Sequence, residues 1–158
     1  MRLLYGVVFV FAIVASVSED QKSPRRSSTP IRLFVSAPRS DSGLLPFDQK
    51  PKEDSAKDLQ RAIKARLSRG VALFSKAIAT FTNDKADADV TIEVVDRVAR
   101  GDNRIVNLRV LAGSEEFNIS GTNDDSDWSD AADDAAKQII DWLTLNRHRL
   151  ATPREGSR

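Results

Sequence analysis

The sequence predicts an α+β fold: a mixed or antiparallel sheet of four to five strands, with two main helices packed on one face. Two observations carry this. Between Ala88 and Thr122, apolar and polar residues alternate in three successive runs, separated by glycine-led turns. Before and after that stretch, apolar residues recur at the spacing of amphipathic helices. A sheet with one apolar face has to be covered, and these helices supply the cover.

The elements follow in chain order. Ile31 to Ala37, IRLFVSA, alternates Ile31, Leu33 and Val35 with Arg32 and Ser36, and Phe34 adds an apolar group on the second face. Apolar residues on both faces predict an inner strand, which Pro38 ends because it offers no N–H to a ladder. Residues 38–54 read as a long loop, with Pro38, Gly43, Pro46 and Pro51. Leu44, Leu45 and Phe47 form an apolar patch inside it. The patch either tucks onto the domain edge or contacts a partner or ligand, and it is the one candidate binding site in the chain.

Ser55-Ala56-Lys57-Asp58 has the shape of a capping box, and Leu59, Ile63 and Leu67 follow at intervals of four. A helix is therefore predicted over 55–69, with Gly70 as its stop. Its other face carries Lys57, Arg61, Lys64 and Arg66. Val71 to Thr82 is read as a strand near its end. Asn83 to Ala88 is read as one helical turn capped by Asn83. The meander then runs through Val90, Ile92 and Val94; through Val106, Leu108, Val110 and Ala112; and through Phe117 and Ile119. Trp128, Ala132, Ala135, Ile139 and Trp142 recur at spacings of four and three and predict the closing helix, with Trp142 packed on the sheet. Asp127, Asp130, Asp133 and Asp134 near its start and Arg147, His148 and Arg149 at its end complement the helix dipole.

Domain organisation reads as a signal peptide over 1–18, a linker over 19–30, the α+β domain over 31–150 and a disordered tail over 151–158. The signal rests on Arg2, the apolar run Leu3 to Ala15 and the small residues Ser16-Val17-Ser18. That run is short for a membrane span, so membrane contact is expected only if the segment stays uncleaved. Without residues 1–18 the formal charge falls from +1 to 0, because one arginine is lost (24 minus 23, then 23 minus 23). A neutral chain gives no global electrostatic reason to bind nucleic acid, and none is expected as partner.

Several chemistries are excluded or left unsupported. The chain has no cysteine, so disulfides, thiolate metal sites and cysteine nucleophiles are ruled out. The single histidine, His148, lies between two arginines and reads as a helix-end residue. No phosphate loop, dinucleotide fingerprint, nucleophile elbow or zinc-protease motif occurs. The acids Asp124, Asp125, Asp127 and Asp130 fail the calcium-loop pattern, with Asp130 where glycine is required and Ala136 where glutamate is required, so helix capping explains them better. No catalytic residue, no metal and no cofactor is predicted.

The order of elements, with IRLFVSA, ADADVTIEVV and RIVNLRVLA as its strands, resembles small α+β domains of exported bacterial envelope proteins. The amino-terminal domains of the TolB kind and the lipoprotein activators of penicillin-binding proteins are examples. The resemblance covers about residues 31–147. It implies an exported, periplasmic or secreted, non-enzymatic module that binds another envelope protein. The missing lipoprotein cysteine departs from the activators. Two other readings stand beside it: a small-ligand or lipid carrier with the 38–54 loop as lid, and an enzyme without a recognisable motif.

Overall fold

The computed structural model describes residues 29–39, 46–74 and 77–150, with backbone alone for 46–49 and 70–74. Eight elements follow in order: β1 (Ile31–Ser36), α1 (Pro46–Phe74), β2 (Ala79–Phe81), a 3-10 turn (Lys85–Asp87), β3 (Val90–Arg100), β4 (Asn103–Ala112), β5 (Glu115–Asn123) and α2 (Trp128–Leu150). The sheet order is β2-β1-β3-β4-β5. β1 is parallel to both β2 and β3, while β3, β4 and β5 form an antiparallel meander. This is the predicted α+β architecture, with five strands in a mixed sheet and β1 inside it.

Both hairpins turn on two residues. Arg100 pairs with Asn103 around Gly101-Asp102, and Ala112 pairs with Glu115 around Gly113-Ser114. Gly101 and Gly113 have φ of 60° and 68°. Glycine leads each turn because the first central residue must adopt a left-handed conformation.

The alternation of β3 and β4 conflicts with that first turn. Its register pairs even-numbered residues with odd ones, yet Val90, Ile92 and Val94 share parity with Val106, Leu108 and Val110. The ladder resolves the conflict by shifting one residue between Val94 and Asp96. Val95 is the extra residue of this bulge, and it is 46% exposed. Below the bulge Val94 lies beside Leu108, and above it Arg97 lies beside Val106. The bulge thus keeps Asp96 off the apolar face and turns Arg97 towards the helices.

The core lies between this face and the helices. It contains Ile31, Leu33, Val90, Ile92, Val94, Val106, Leu108 and Val110 from the sheet, Leu59, Ile63 and Leu67 from α1, and Ala131, Ala132, Ala135, Ala136, Ile139 and Leu143 from α2. The four alanines bring α2 close to β5. A Cβ on Gly121 would stand 2.1 Å from the Ala131 carbonyl oxygen and 2.6 Å from the Ala135 Cβ. Trp142 is half-buried at the flank, its ring 4.8 Å from that of Phe117, while Ile139 and Leu143 occupy the interior. α2 also reaches over the outer edge of β5. The Thr122 N–H donates to Asp134 Oδ2 at 3.1 Å, and Gln138 Nε2 donates to the Ser120 carbonyl at 3.0 Å.

Three expected boundaries change. The loop expected over 38–54 becomes helix from Pro46 onward, because proline is tolerated where a helix begins and its missing N–H costs nothing there. Ser55, expected as a cap, is instead inside α1, buried and without a partner for its hydroxyl. Gly70 does not stop the helix, which continues to Phe74. The 3-10 turn is capped by Asp84, which accepts from the Ala86 N–H at 2.8 Å, rather than by Asn83. Asp127 opens α2 as expected, accepting from the Ser129 N–H at 2.7 Å and the Ser129 hydroxyl at 2.8 Å. These bonds hold its carboxyl below the usual range. The segments 1–18 and 151–158 and most of the 19–30 linker lie outside the described residues.

Candidate functional site

Two surfaces gather charged side chains in a defined geometry. The first is the outer face of α1. Leu59, Ile63 and Leu67 turn one side of the helix inward, which leaves Lys50, Lys57, Arg61 and Lys64 exposed on the other. At 100° per residue these four fall within about 60° of one another, along about 21 Å of helix. Asp54 lies 3.5 Å from Lys57 and Asp58 lies 3.1 Å from Arg61. Such exposed pairs hold weakly and yield to a competing anion. Lys64 lies 5.2 Å from the Phe81 ring centre, which places the far end of the row beside β2. Arg66 turns inward instead and pairs with both carboxylate oxygens of Asp133 of α2 through Nε and Nη2.

The second surface is the sheet face that, among the described residues, no helix covers. Ser36, Glu93, Arg109 and Asn118 stand in one row across β1, β3, β4 and β5. Glu93 is 3% exposed although its face is open, because two cations close over it. Lys85 donates to Oε1 at 2.9 Å, and Arg109 donates to Oε2 through Nε at 3.0 Å and Nη2 at 2.6 Å. Burial pushes the Glu93 carboxyl up, but the hydrogen bonds and charges of Lys85 and Arg109 outweigh burial and hold it below its ordinary value. The same contacts raise Arg109. At the far end of this face, Arg32 grips Asp89 through Nε at 3.3 Å and Nη2 at 3.0 Å.

A third cluster is structural. Above the bulge, the Arg97 guanidinium stacks 3.8 Å from the Trp128 ring centre, with Arg104 at 5.5 Å. Arg97 Nη1 donates to the Pro51 carbonyl at 2.6 Å, while its Nε is buried without a partner. This ties the start of α1 to the start of α2 through β3.

Leu44 and Leu45, the expected contact residues, lie outside the described residues, and Phe47 falls in the first turn of α1 with its side chain outside them too. The residues that do converge, Lys85, Glu93 and Arg109, stand at polar positions of the alternating strands. Their convergence depends on the bulge: the unbroken hairpin register would set Glu93 opposite Val110. Among the described residues no group of three or more histidines or carboxylates gathers as metal ligands would.

The class these observations define is a five-stranded α+β domain with two helices packed on one face of the sheet. No family model matches the chain, and no curated protein matches it. Among solved structures it is similar to a ribosomal subunit interface protein from Coxiella burnetii, at 13% identity and a TM-score of 0.39, over 75% of this chain and 99% of that one. It is also similar to the N-terminal domain of Protein Y from Thermus thermophilus, at 13% identity and a TM-score of 0.37, over 74% and 98%. Neither name is that of an enzyme.

These matches correct the envelope resemblance. The structures found are a ribosomal subunit interface protein and Protein Y, not envelope proteins. The expected export to periplasm or medium, the envelope-protein partner and the exclusion of nucleic acid are overturned with it. The lid reading also falls, because residues 46–54 are helix. Net charge does not show how the charges are distributed. The cations are concentrated on α1 while the acids are concentrated at the start of α2.

Proposed function

We propose that this chain is a non-enzymatic binding domain that holds the phosphate backbone of nucleic acid along the outer face of α1. The observation that carries the reading is the exposed row Lys50, Lys57, Arg61 and Lys64 on a rigid helix. A helix fixes the spacing of its cations, so less ordering is required when phosphates bind. The row offers charge and no base-reading geometry, so binding is sequence-independent. Asp54 and Asp58 lower the affinity without abolishing it, since phosphates displace exposed carboxylates.

The test is fluorescence anisotropy of the full chain with a labelled RNA duplex across a salt series. Each phosphate contacted contributes a slope of about −0.9 in log K against log salt on a duplex, so four contacts give about −3 to −4. Lys57→Gln, Arg61→Gln and Lys64→Gln together should leave a slope of about −1, from Lys50 alone. Binding unchanged by the triple variant, or absent at low salt in the native chain, overturns the reading.

A further inference from the structure

The geometry points to a second, separate anion contact on the open sheet face, where Lys85 and Arg109 hold one phosphate group between them. It does not depend on α1.

The argument begins with the cost of Glu93. A carboxylate on an uncovered sheet face could remain in water, yet this one is 3% exposed. Burying a charge is unfavourable unless partners satisfy it. Lys85 and Arg109 do so, and in doing so they lose their own freedom. Lys85 is fixed at its backbone as well, because the 3-10 turn that carries it is capped by Asp84 and the Thr82 hydroxyl accepts from the Asp84 N–H. Arg109 is fixed by two bonds to one oxygen.

Both cations keep donors to spare. Arg109 has five N–H groups and spends two on Glu93, and Lys85 has three and spends one. Their side chains remain 42% and 58% exposed. Two positive heads on the two oxygens of one carboxylate leave the trio at +1, with its unused donors on the solvent side. Ser36 and Asn118 flank the trio in the same row and add neutral hydrogen-bonding groups. Glu116, two residues along β5 from Asn118, also acts on Arg109 and limits how many negative charges the site accepts. A single phosphate fits this inventory: it is compact, accepts several hydrogen bonds and pairs well with fixed guanidinium and ammonium groups.

This makes an unusual prediction. If Lys85 and Arg109 acted as loose charges, removing the negative Glu93 would strengthen anion binding. If Glu93 fixes them in place, Glu93→Gln weakens it. The experiment follows backbone amide shifts of the full chain by NMR during titration with inorganic phosphate, against chloride at matched ionic strength. Saturable shifts confined to Ser36, Glu93, Arg109, Asn118 and their neighbours are expected. Arg109→Gln and Lys85→Gln should each weaken binding by about tenfold or more, the loss of a charged hydrogen bond. Lys85 lies on an exposed turn, so its variant keeps the fold and provides the control for the sheet variants. Glu93→Gln should weaken binding several-fold.

The triple α1 variant should retain these shifts while losing RNA, which separates failure of this site from failure of the α1 reading. A short single-stranded RNA without terminal phosphate sorts the source: shifts at the same amides assign a phosphodiester, and shifts with inorganic phosphate alone assign a free or terminal phosphate. Tighter binding by Glu93→Gln, or phosphate shifts no larger than those of chloride, overturns the proposal.

Discussion

Gly121→Ala places a methyl group where α2 already stands. The added Cβ would lie 2.1 Å from the Ala131 carbonyl oxygen, 2.6 Å from the Ala135 Cβ and 2.7 Å from the Ala135 nitrogen. Two of these three atoms belong to the helix backbone, so no side chain can rotate away. Normal carbon–oxygen contact needs about 3.3 Å, so the first turns of α2 must lift by about 1 Å. That lift loosens Ala131, Ala132 and Ala135 and stretches the bonds from Thr122 to Asp134 and from Gln138 to Ser120. Overpacking of this kind costs about 1–3 kcal/mol, and rigid neighbours put this site at the upper end. The alanine recovers about 0.4–1 kcal/mol through a less flexible unfolded chain. The net loss expected is about 2–3 kcal/mol, roughly 8–12 °C in Tm for a domain of this size. Urea unfolding followed by far-UV circular dichroism measures it. Adding Ala135→Gly should restore little, because the Ala131 carbonyl is the closer obstacle. A loss below about 0.5 kcal/mol for Gly121→Ala would refute the close approach of α2 to β5.

Four further outcomes are expected. Leu143→Ala should cost about 3–4 kcal/mol and Trp142→Ala about 2 kcal/mol, because Leu143 is fully buried and Trp142 only half so; the reverse order in urea unfolding would show that Trp142 is the core residue. Glu93 has a folded pKa below its unfolded one, so it contributes stability above about pH 4.3, lost as pH falls through the folded value. Glu93→Gln should therefore be less stable at neutral pH and approach the native chain in acid; a gap that widens on acidification contradicts this sign. Arg97→Met keeps much of the packing on Trp128 but loses the bond to Pro51, so hydrogen exchange should quicken in the first turns of α1 while the sheet stays protected. Deleting Val95 should heal the bulge, because Val94 opposite Leu108 and Asp96 opposite Asn107 then become consecutive pairs with every side chain on its native face, so a near-native Tm is expected; severe destabilisation would show that the bend made by the bulge is itself required.

The sheet was the most legible part of the sequence. Period-two alternation and the two glycines leading the turns defined β3, β4 and β5, since both signals are local. β1 was legible through apolar residues on both faces. α1 was read short at both ends, since Pro46 and Pro51 resemble loop residues and Gly70 resembles a stop, and such single-residue signals are weak local preferences. Ser55 misled for a similar reason: its side chain suits a cap, but the helix had begun earlier. The bulge was present in the parity of the numbers. Even apolar positions on both strands cannot face each other across a two-residue turn without one extra residue. The Lys85, Glu93 and Arg109 trio follows from that shift and from a turn whose side chain reaches across to β3, so no spacing along the chain announces it. Net charge could not show the cation row of α1, because opposite charges on two helices cancel in a sum while standing on separate elements.

The two bonds by which α2 covers the edge of β5 bear on how the chain emerges during synthesis. All five strands precede α2, so the meander can pair while the closing helix is still being made. Until Asp134 and Gln138 arrive, the Thr122 N–H and Ser120 carbonyl offer another strand somewhere to attach, beside an apolar face still half bare. One docking step then buries that face and occupies the edge together. Truncation within α2, or slow arrival of its last turns, should therefore yield aggregates built through β5 rather than a loosened monomer.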